Sequence, residues 1–309
     1  MAFSFRQVRY FIAVADAGKV SAAAANLHVS QSAVSAAIDK LEKDIEAPLF
    51  RRRSNGVELT YEGHQFLTHA QNILAAVSEA TRGVRRSGRS LSGKVRVGLT
   101  YTVAGYFFPQ LLMRFSRSFP DVEFKLVEKQ RIQIEEEIVS GELDIAVILV
   151  SNLQNIEDIS SRVLIKSQRR LWLSADHHLM NEDVVGLSQI AKEPYVMLTV
   201  DEAEQSALRY WNATDYSPNV IFKTSSVEAV RSMVATGTGI TILSDMVYRP
   251  WSLEGQHVEV KPVAGQVHSM DVGLIWKRGK EMNPQTKALY TFLCNNFADT
   301  GYGVGEPAQ

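Results

Sequence analysis

Apolar residues in the first ninety positions recur at helical spacing. Val8, Phe11, Ile12 and Ala15 fall at i, i+3, i+4 and i+7, which predicts a helix with one apolar face, ended by Gly18. A second short helix is predicted over 21–27. Ser30 then stands at an N-cap position before a third helix, whose apolar side is Val34, Ile38, Leu41 and Ile45. Pro48 and Phe50 end that pattern. Ser54-Asn55-Gly56 signals a turn, and Val57, Glu58 and Leu59 alternate as a short strand, so a two-stranded wing is expected. Thr60 is placed to cap a long helix over 61–87. Along it Phe66, Ala70, Ile73, Val77, Ala80 and Val84 form an a/d seam, suited to pairing with a second copy of the chain.

The texture changes after SGRSLSG, a flexible linker over 87–93. Val95, Val97 and Leu99 alternate as a strand. A helix is expected over Phe107–Phe119, a strand over Val122–Val127, a helix over Ile132–Val139 and a fully apolar strand over Ile145–Val150. That β-α-β-α-β order predicts a parallel sheet covered by helices. A second set follows, with strands at 170–174, 195–198, 220–224 and 240–243, and helices at 203–211 and 227–236. One more strand (272–277) and a closing helix (284–297) complete the chain. Two α/β subdomains in tandem suggest a hinged fold with a ligand between them.

Charge separates the two parts. Residues 1–92 hold 12 Lys/Arg against 8 Asp/Glu, and the remainder 21 against 26. A basic head on an acidic body points to a polyanion partner for the head. Cys294 is the only cysteine, so no intrachain disulfide is available. The N-terminus lacks the apolar stretch of a signal peptide, and the longest apolar run, Ile145–Val150, is far below the ~20 residues needed to cross a bilayer. A cytoplasmic protein without a membrane partner is expected.

In the head, two short helices joined by a tight turn have the form of a helix-turn-helix. The outer side of the second shows Ser30, Gln31, Ser32, Ser35, Ala36, Asp39 and Lys40. Small residues let such a helix approach a groove floor. Gln31 can pair with adenine, and Ser32 and Ser35 can donate to phosphates or bases. Arg51, Arg52 and Arg53 would reach the backbone or the minor groove; read alone, an arginine triplet is as readily a solvated loop. In the body, ligands of parallel sheets sit at the carboxyl ends of strands and at helix N-termini. The candidates there are Thr100, Tyr101 and Thr102 after the first strand, Gln130 and Arg131 after the second, and Thr199, Thr224 and Ser225 in the second subdomain. Hydroxyls and an Arg suit a carboxylate or another small anion. The plainer alternatives are helix caps for the hydroxyls and a surface ion pair for Arg131. His177-His178 has no carboxylate or Cys at ligand spacing, so no metal is expected. Gly237-Thr238-Gly239 precedes a strand and is no dinucleotide loop. No cofactor and no catalytic constellation is found, which argues against an enzyme.

The motifs "AAAANLHVSQSAVSAAIDKLE", "PLFRR" and "LTYEG", in the order helix-turn-helix, wing, long helix, linker, resemble the LysR-type transcriptional regulators over about 1–300. The resemblance implies an N-terminal winged helix-turn-helix (1–60) and a dimerising linker helix and hinge (61–93). A two-subdomain effector domain like a periplasmic binding protein would follow, with subdomain I at 94–165 and 266–300, subdomain II at 166–265, and a disordered tail at 301–309. It further implies double-stranded DNA and a small organic effector as partners, a homodimer that associates into a homotetramer, and RNA polymerase as a further candidate partner. Lys19 stands where the family has Ser, Ala36 and Ala37 where Arg or Gln is common, Asp39 where a basic residue is common, and Glu46 where Gly usually ends the helix. A solute-binding module with a non-specific nucleic-acid-binding head is the main competing reading.

Overall fold

The computed structural model describes residues 3–53, 56–60, 62–63, 66–67, 69–70, 73–74, 77 and 91–297. Two compact units, Met1–Arg89 and Ser90–Gln309, divide the chain. Ala80 and Val84 of the expected seam, the side chain of Arg53, most of the expected linker and the tail at 301–309 lie outside the described residues.

The head begins with α1 (Phe5–Ala17), α2 (Val20–Asn26) and α3 (Gln31–Ile45). Ser4 and Gln7 close a capping box on α1, with Gln7 Oε1 accepting from the Ser4 amide at 2.7 Å. Gly18 ends α1 at φ 64°. The buried stripe runs through Val8, Phe11 and Val14, while Ile12 and Ala15 are half-buried. Ser30 caps α3 by accepting from the Ala33 amide at 3.2 Å, and Val34, Ile38 and Leu41 face the core. Glu46, standing in place of a glycine, ends α3 in the left-handed region at φ 59°.

The wing is β1 (Phe50–Arg53) and β2 (Gly56–Leu59), antiparallel with Arg51 opposite Glu58 and Arg52 opposite Val57. It is tied to α3 through Glu42, whose carboxylate accepts from the Leu49 and Phe50 amides at 2.7 and 2.9 Å. Thr60 accepts from the Gly63 amide at 2.9 Å, as the expected cap should. Only glycine fits at 63, since a Cβ there would lie 2.0 Å from the Leu49 carbonyl oxygen. Positions 62–63, 66–67, 69–70, 73–74 and 77 are helical.

The first two seam positions have a different use from the one expected. Ala70 is fully buried in the head's own core, and the Phe66 ring packs edge-on to Phe11 at 5.0 Å. Helical spacing alone could not tell a seam between copies from a stripe folded onto the same chain. Phe11 also meets Phe50 at 5.1 Å, so one side chain joins α1, the wing and the helix that follows. Phe11→Ala should therefore cost the head about 3–5 kcal/mol, against about 0.5 kcal/mol or less for Phe5→Ala, which is 57% exposed. Urea unfolding followed by helical circular dichroism checks both.

In the second unit, β3 (Gly93–Leu99) leads into α4 (Tyr101–Tyr106), α5 (Phe108–Ser118), β4 (Val122–Glu128), α6 (Arg131–Ser140) and β5 (Ile145–Leu149). The helix expected over 107–119 is α5, and α4 before it is a further helix that the apolar pattern did not indicate. β6 (Ile159–Ser167) follows, a strand the sequence reading did not identify. The sheet order is β4-β3-β5-β14-β6, with β14 being Met270–Lys277. β3 is parallel to β4 and β5, but β14 runs antiparallel to both β5 and β6. The sheet is mixed rather than wholly parallel, because a strand from the far end of the chain enters it. β5 is buried along its whole length, with Val147 facing Phe108 and Phe115 and Ile148 facing Ile134 and Ile138.

The chain leaves this lobe at Ser167 and starts β7 (Arg169–Ser174) in the other lobe one residue later. There follow β8 (Val185–Gly186), α7 (Leu187–Ile190), β9 (Pro194–Leu198), α8 (Ala203–Trp211), β10 (Asn219–Thr224), α9 (Val227–Ala235), β11 (Thr241–Ser244), β12 (Val258–Lys261) and β13 (Val263–Ala264). β7 is flanked by β11 and β12, both antiparallel to it, and β9 pairs parallel with β10. The chain then returns through β14, and α10 (Pro284–Asn296) closes the first lobe. Two crossings, at 168 and 265–269, therefore connect the lobes.

Candidate nucleic-acid interface and effector cleft

Burying Val34, Ile38 and Leu41 turns the opposite side of α3 outward. Ser30, Gln31, Ser32, Ala36, Asp39 and Lys40 are exposed and Ser35 is half-buried. The Ser30 and Ser32 hydroxyls lie 3.1 Å apart. Beyond this stripe, Arg51 and Arg52 on β1 are exposed as well. Their register makes them unequal. Arg51 stands opposite Glu58, whereas Arg52 stands opposite the neutral Val57. The carboxylate across from Arg51 leaves Arg52 the less compensated of the two charges for a phosphate.

In the body, the candidate residues are drawn into contacts of their own. Thr100 is buried, and its hydroxyl has no hydrogen-bond partner. Next to it, Asp201 reaches over from the other lobe. Its carboxylate accepts from the Tyr101 amide at 3.2 Å, the Thr102 amide at 2.7 Å and the Thr102 hydroxyl at 2.5 Å. Glu202 does the same for Arg131, accepting from Nε at 2.9 Å and from a second guanidinium nitrogen at 2.7 Å. Arg131 is 6% exposed and is also paired with Glu135 on its own helix. The Glu202 hydrogen bond, with the Glu135 one behind it, raises its pKa. Arg131 was expected as a partner for an external anion. Two carboxylates already neutralise it, and one of them comes from a turn too distant in sequence for local spacing to reveal.

The remaining candidates lie elsewhere. Gln130 is the exposed N-cap residue of α6 and makes no capping hydrogen bond through its side chain. The Thr199 amide donates to the Thr224 carbonyl, which joins β9 and β10. Thr224 and Ser225 do not cap α9. That role belongs to Ser226, which accepts from the Ala229 amide at 3.1 Å, while Thr224 accepts from the Ser226 amide. Of the eight residues expected in the effector site, only Thr102 lines the cavity that lies between the lobes.

That cavity has a volume of about 20 Å³, enough for roughly one water molecule. Its polar wall is Thr102, Arg169, Asp201, Ser206 and Ser244, and its apolar wall includes Leu149, Leu198 and Met270. Arg169 was missed from the sequence. It opens β7 just after the first crossing, where an arginine heading an apolar strand gives no local signal. Its Nε donates to the His268 carbonyl at 3.0 Å, and no carboxylate among the described residues pairs with it. Burial pushes its pKa below the ordinary guanidinium value, with the nearby Arg209 charge adding to the effect. A half-buried guanidinium in a cavity wall, without a carboxylate partner among the described residues, has the chemistry to pair with an anion. The pair Asp201-Glu202 was missed too, since acidic residues just before a helix read as ordinary first-turn acids.

A histidine cluster also differs from expectation. Glu193 joins His177 and His178, with His178 Nε2 at 2.9 Å and His177 Nε2 at 3.6 Å from its carboxylate. The neighbour lies 15 and 16 positions away in sequence, beyond local ligand spacing. His177 Nδ1 accepts from the Leu179 amide at 3.2 Å, so its other nitrogen holds the proton and faces Glu193. His178 is hydrogen-bonded to Glu193 and His177 Nδ1 is occupied by the Leu179 amide, so these atoms are already engaged.

Together these features define a winged helix-turn-helix head joined to a two-lobed small-molecule-binding body. The family descriptions "Bacterial regulatory helix-turn-helix protein, lysR family" and "LysR substrate binding domain" match residues 5–64 and 88–298. The chain belongs to the LysR family of transcriptional regulators. An uncharacterized HTH-type transcriptional regulator of Bacillus subtilis, YybE, is 24% identical over 303 residues, covering 96% of this chain and 99% of the relative. The hydrogen peroxide-inducible genes activator of Pectobacterium carotovorum is 30% identical over 241 residues, 78% of this chain and 79% of that one. Among solved structures, HinK from Pseudomonas aeruginosa aligns with a TM-score of 0.63 at 22% identity, over 96% of this chain and 98% of HinK. Full-length BenM aligns with a TM-score of 0.60 at 19% identity, over 99% and 100%. The protein is thus a ligand-responsive, DNA-binding transcriptional regulator, and among its described residues no helix is long and apolar enough to cross a membrane.

The unequal setting of the wing arginines gives a test. Arg52→Ala should weaken DNA binding and make the slope of log affinity against log salt shallower by about 1. Arg51→Ala should change it less. Affinities measured at several salt concentrations check this, and an unchanged slope for Arg52→Ala would remove the wing from the phosphate contacts.

Proposed function

We propose that this regulator is switched by a small organic anion, of the size of a single metabolite, whose acidic group is held by Arg169. The observation that carries this reading is the cavity wall itself. Arg131 is neutralised by Glu202 and Glu135, whereas Arg169 lines the cavity with no carboxylate partner among the described residues. Thr102, Ser206 and Ser244 supply hydroxyls around it, and Leu149, Leu198 and Met270 suit an apolar portion of the ligand.

In this reading the head binds duplex DNA at a dyad-symmetric site as a homodimer, with Gln31, Ser32, Ser35, Ala36 and Lys40 near the bases and Arg51, Arg52 and Arg53 on the backbone. Half-site spacing then mirrors the symmetry of the protein. Association into a homotetramer, contact with RNA polymerase and a cytoplasmic location complete the proposal. It assigns the cleft no catalytic role and no cofactor.

Some relatives are hydrogen peroxide-inducible genes activators, which suggests a response to peroxide. The chemistry of this chain favours a metabolite instead. Its one cysteine, Cys294, cannot form an intrachain disulfide, and burial pushes the thiol pKa up and so disfavours the reactive thiolate.

The test is a thermal-shift screen of small mono- and dicarboxylates against the full-length protein and Arg169→Met. A compound that raises the wild-type melting temperature should have its apparent affinity lowered at least about tenfold in Arg169→Met, the factor expected from losing one charge-assisted pair. DNA binding without ligand should be retained. Equal affinity in both proteins would remove Arg169 from the site.

A further inference from the structure

The turn that enters the cleft is held in an unfavourable conformation. Asp201 and Glu202 both have positive φ, 50° and 61°, in consecutive non-glycine residues. Such a conformation persists when the surroundings hold it in place. Here both side chains are spent on the opposite lobe, Asp201 on Tyr101 and Thr102 and Glu202 on Arg131. The backbone is held from the same side, since Asn152 Nδ2 donates to the Asp201 carbonyl at 3.2 Å. Every contact the turn makes through these groups crosses between lobes.

The first amides of a helix have no partner within it. For α4 those of Tyr101 and Thr102 are satisfied by Asp201 alone among the described residues. The other end of α4 is tied across the cleft as well, with the Tyr106 hydroxyl donating to Glu228 at 2.8 Å. Burial, followed by that hydrogen bond, raises the Tyr106 pKa to about 12, so the hydroxyl keeps its proton and the tie is made at all ordinary pH. With the lobes joined in this way, the cavity holds only about 20 Å³.

We propose that Asp201 and Glu202 form an internal latch. Their carboxylates hold the two lobes together, and the cavity beside Arg169 stays at about 20 Å³ until the strained turn lets go. The inference rests on the cavity being the effector site, and it adds that entry and latch release are one step. The carboxylates act as the chain's own substitute for a ligand's contacts with the first lobe. Because the turn stores strain, release is assisted by relaxation of its backbone. An effector need only compete with contacts that the turn makes at a cost.

Access to the cavity can be read without knowing the effector. In the full-length protein carrying Cys294→Ala, a thiol is placed in the wall by Ser206→Cys, and in a second variant by Ala203→Cys in case the first does not fold. The probe is methyl methanethiosulfonate, which is small and neutral. Adding Asp201→Asn together with Glu202→Gln removes the charges while keeping side-chain size. Asn also tolerates a left-handed backbone, so the turn itself is retained. The latch predicts that the thiol reacts roughly ten- to a hundredfold faster once the two charges are removed, the range expected from losing hydrogen bonds to charged groups. Equal rates at either folded position with and without the charges would overturn it. A sulfonate-bearing methanethiosulfonate keeps the two proposals separate. Its rate relative to the neutral reagent reports on Arg169, and loss of that preference in Arg169→Met bears on the anion reading alone.

Discussion

Asp201 accepting from the Thr102 amide and hydroxyl is the contact on which the form of the effector domain turns. It joins a residue after β9 to the first turn of α4 and so spans the lobes. Its neighbour Glu202 joins the same turn to α6 through Arg131. Both carboxylates come from residues with left-handed backbones, which cost of order 1–3 kcal/mol each. In the proposed latch, the two crossings act as the hinge and these contacts hold the joined arrangement.

The switch follows from differential affinity. A ligand shifts the balance between two arrangements only by as much as it binds one better than the other. In the proposed latch only about 20 Å³ is available while the lobes are joined, so a carboxylate of metabolite size would bind the released arrangement better. Any coupling between this opening and the placement of the heads is then reciprocal, since DNA that favours one arrangement also changes the affinity for the effector. Glu42 and Phe11 tie α3, the wing and the following helix into one body, so the wing arginines and the exposed side of α3 move together.

Local rules made the head legible. Gly18 after an apolar stripe, Ser30 before one, and Ser54-Asn55-Gly56 between alternating segments each act over a few residues, and each element formed where they indicated. Phe66 and Ala70 show the limit, because a 4-3 spacing says that one face is apolar without saying what covers it. In the body, the strands with continuous or alternating apolar residues were recognisable. β6 was not, since its alternation is interrupted by Ser160, Ser161 and Arg162, and neither was the insertion of β14 between β5 and β6, which depends on pairing over more than a hundred residues. Little of the candidate effector site was legible, for the same reason. Thr102 and Arg131 sit at strand-to-helix turns, where local geometry favours ligands. Asp201, Glu202 and Arg169 act through partners far away in sequence, and only the folded chain brings them together.

The central claim is that the state of the cleft is read at the DNA. The most direct measurement uses genomic fragments selected by the full-length protein. The affinity and nuclease footprint of the wild type on them are compared with those of the protein carrying Asp201→Asn and Glu202→Gln, without added ligand. Both substitutions lie in the effector domain and touch no residue assigned to DNA. The account predicts a changed footprint, or an affinity altered by the 5- to 150-fold or so that typical coupling energies give. An identical footprint and affinity, with the cleft shown to be open, would contradict it.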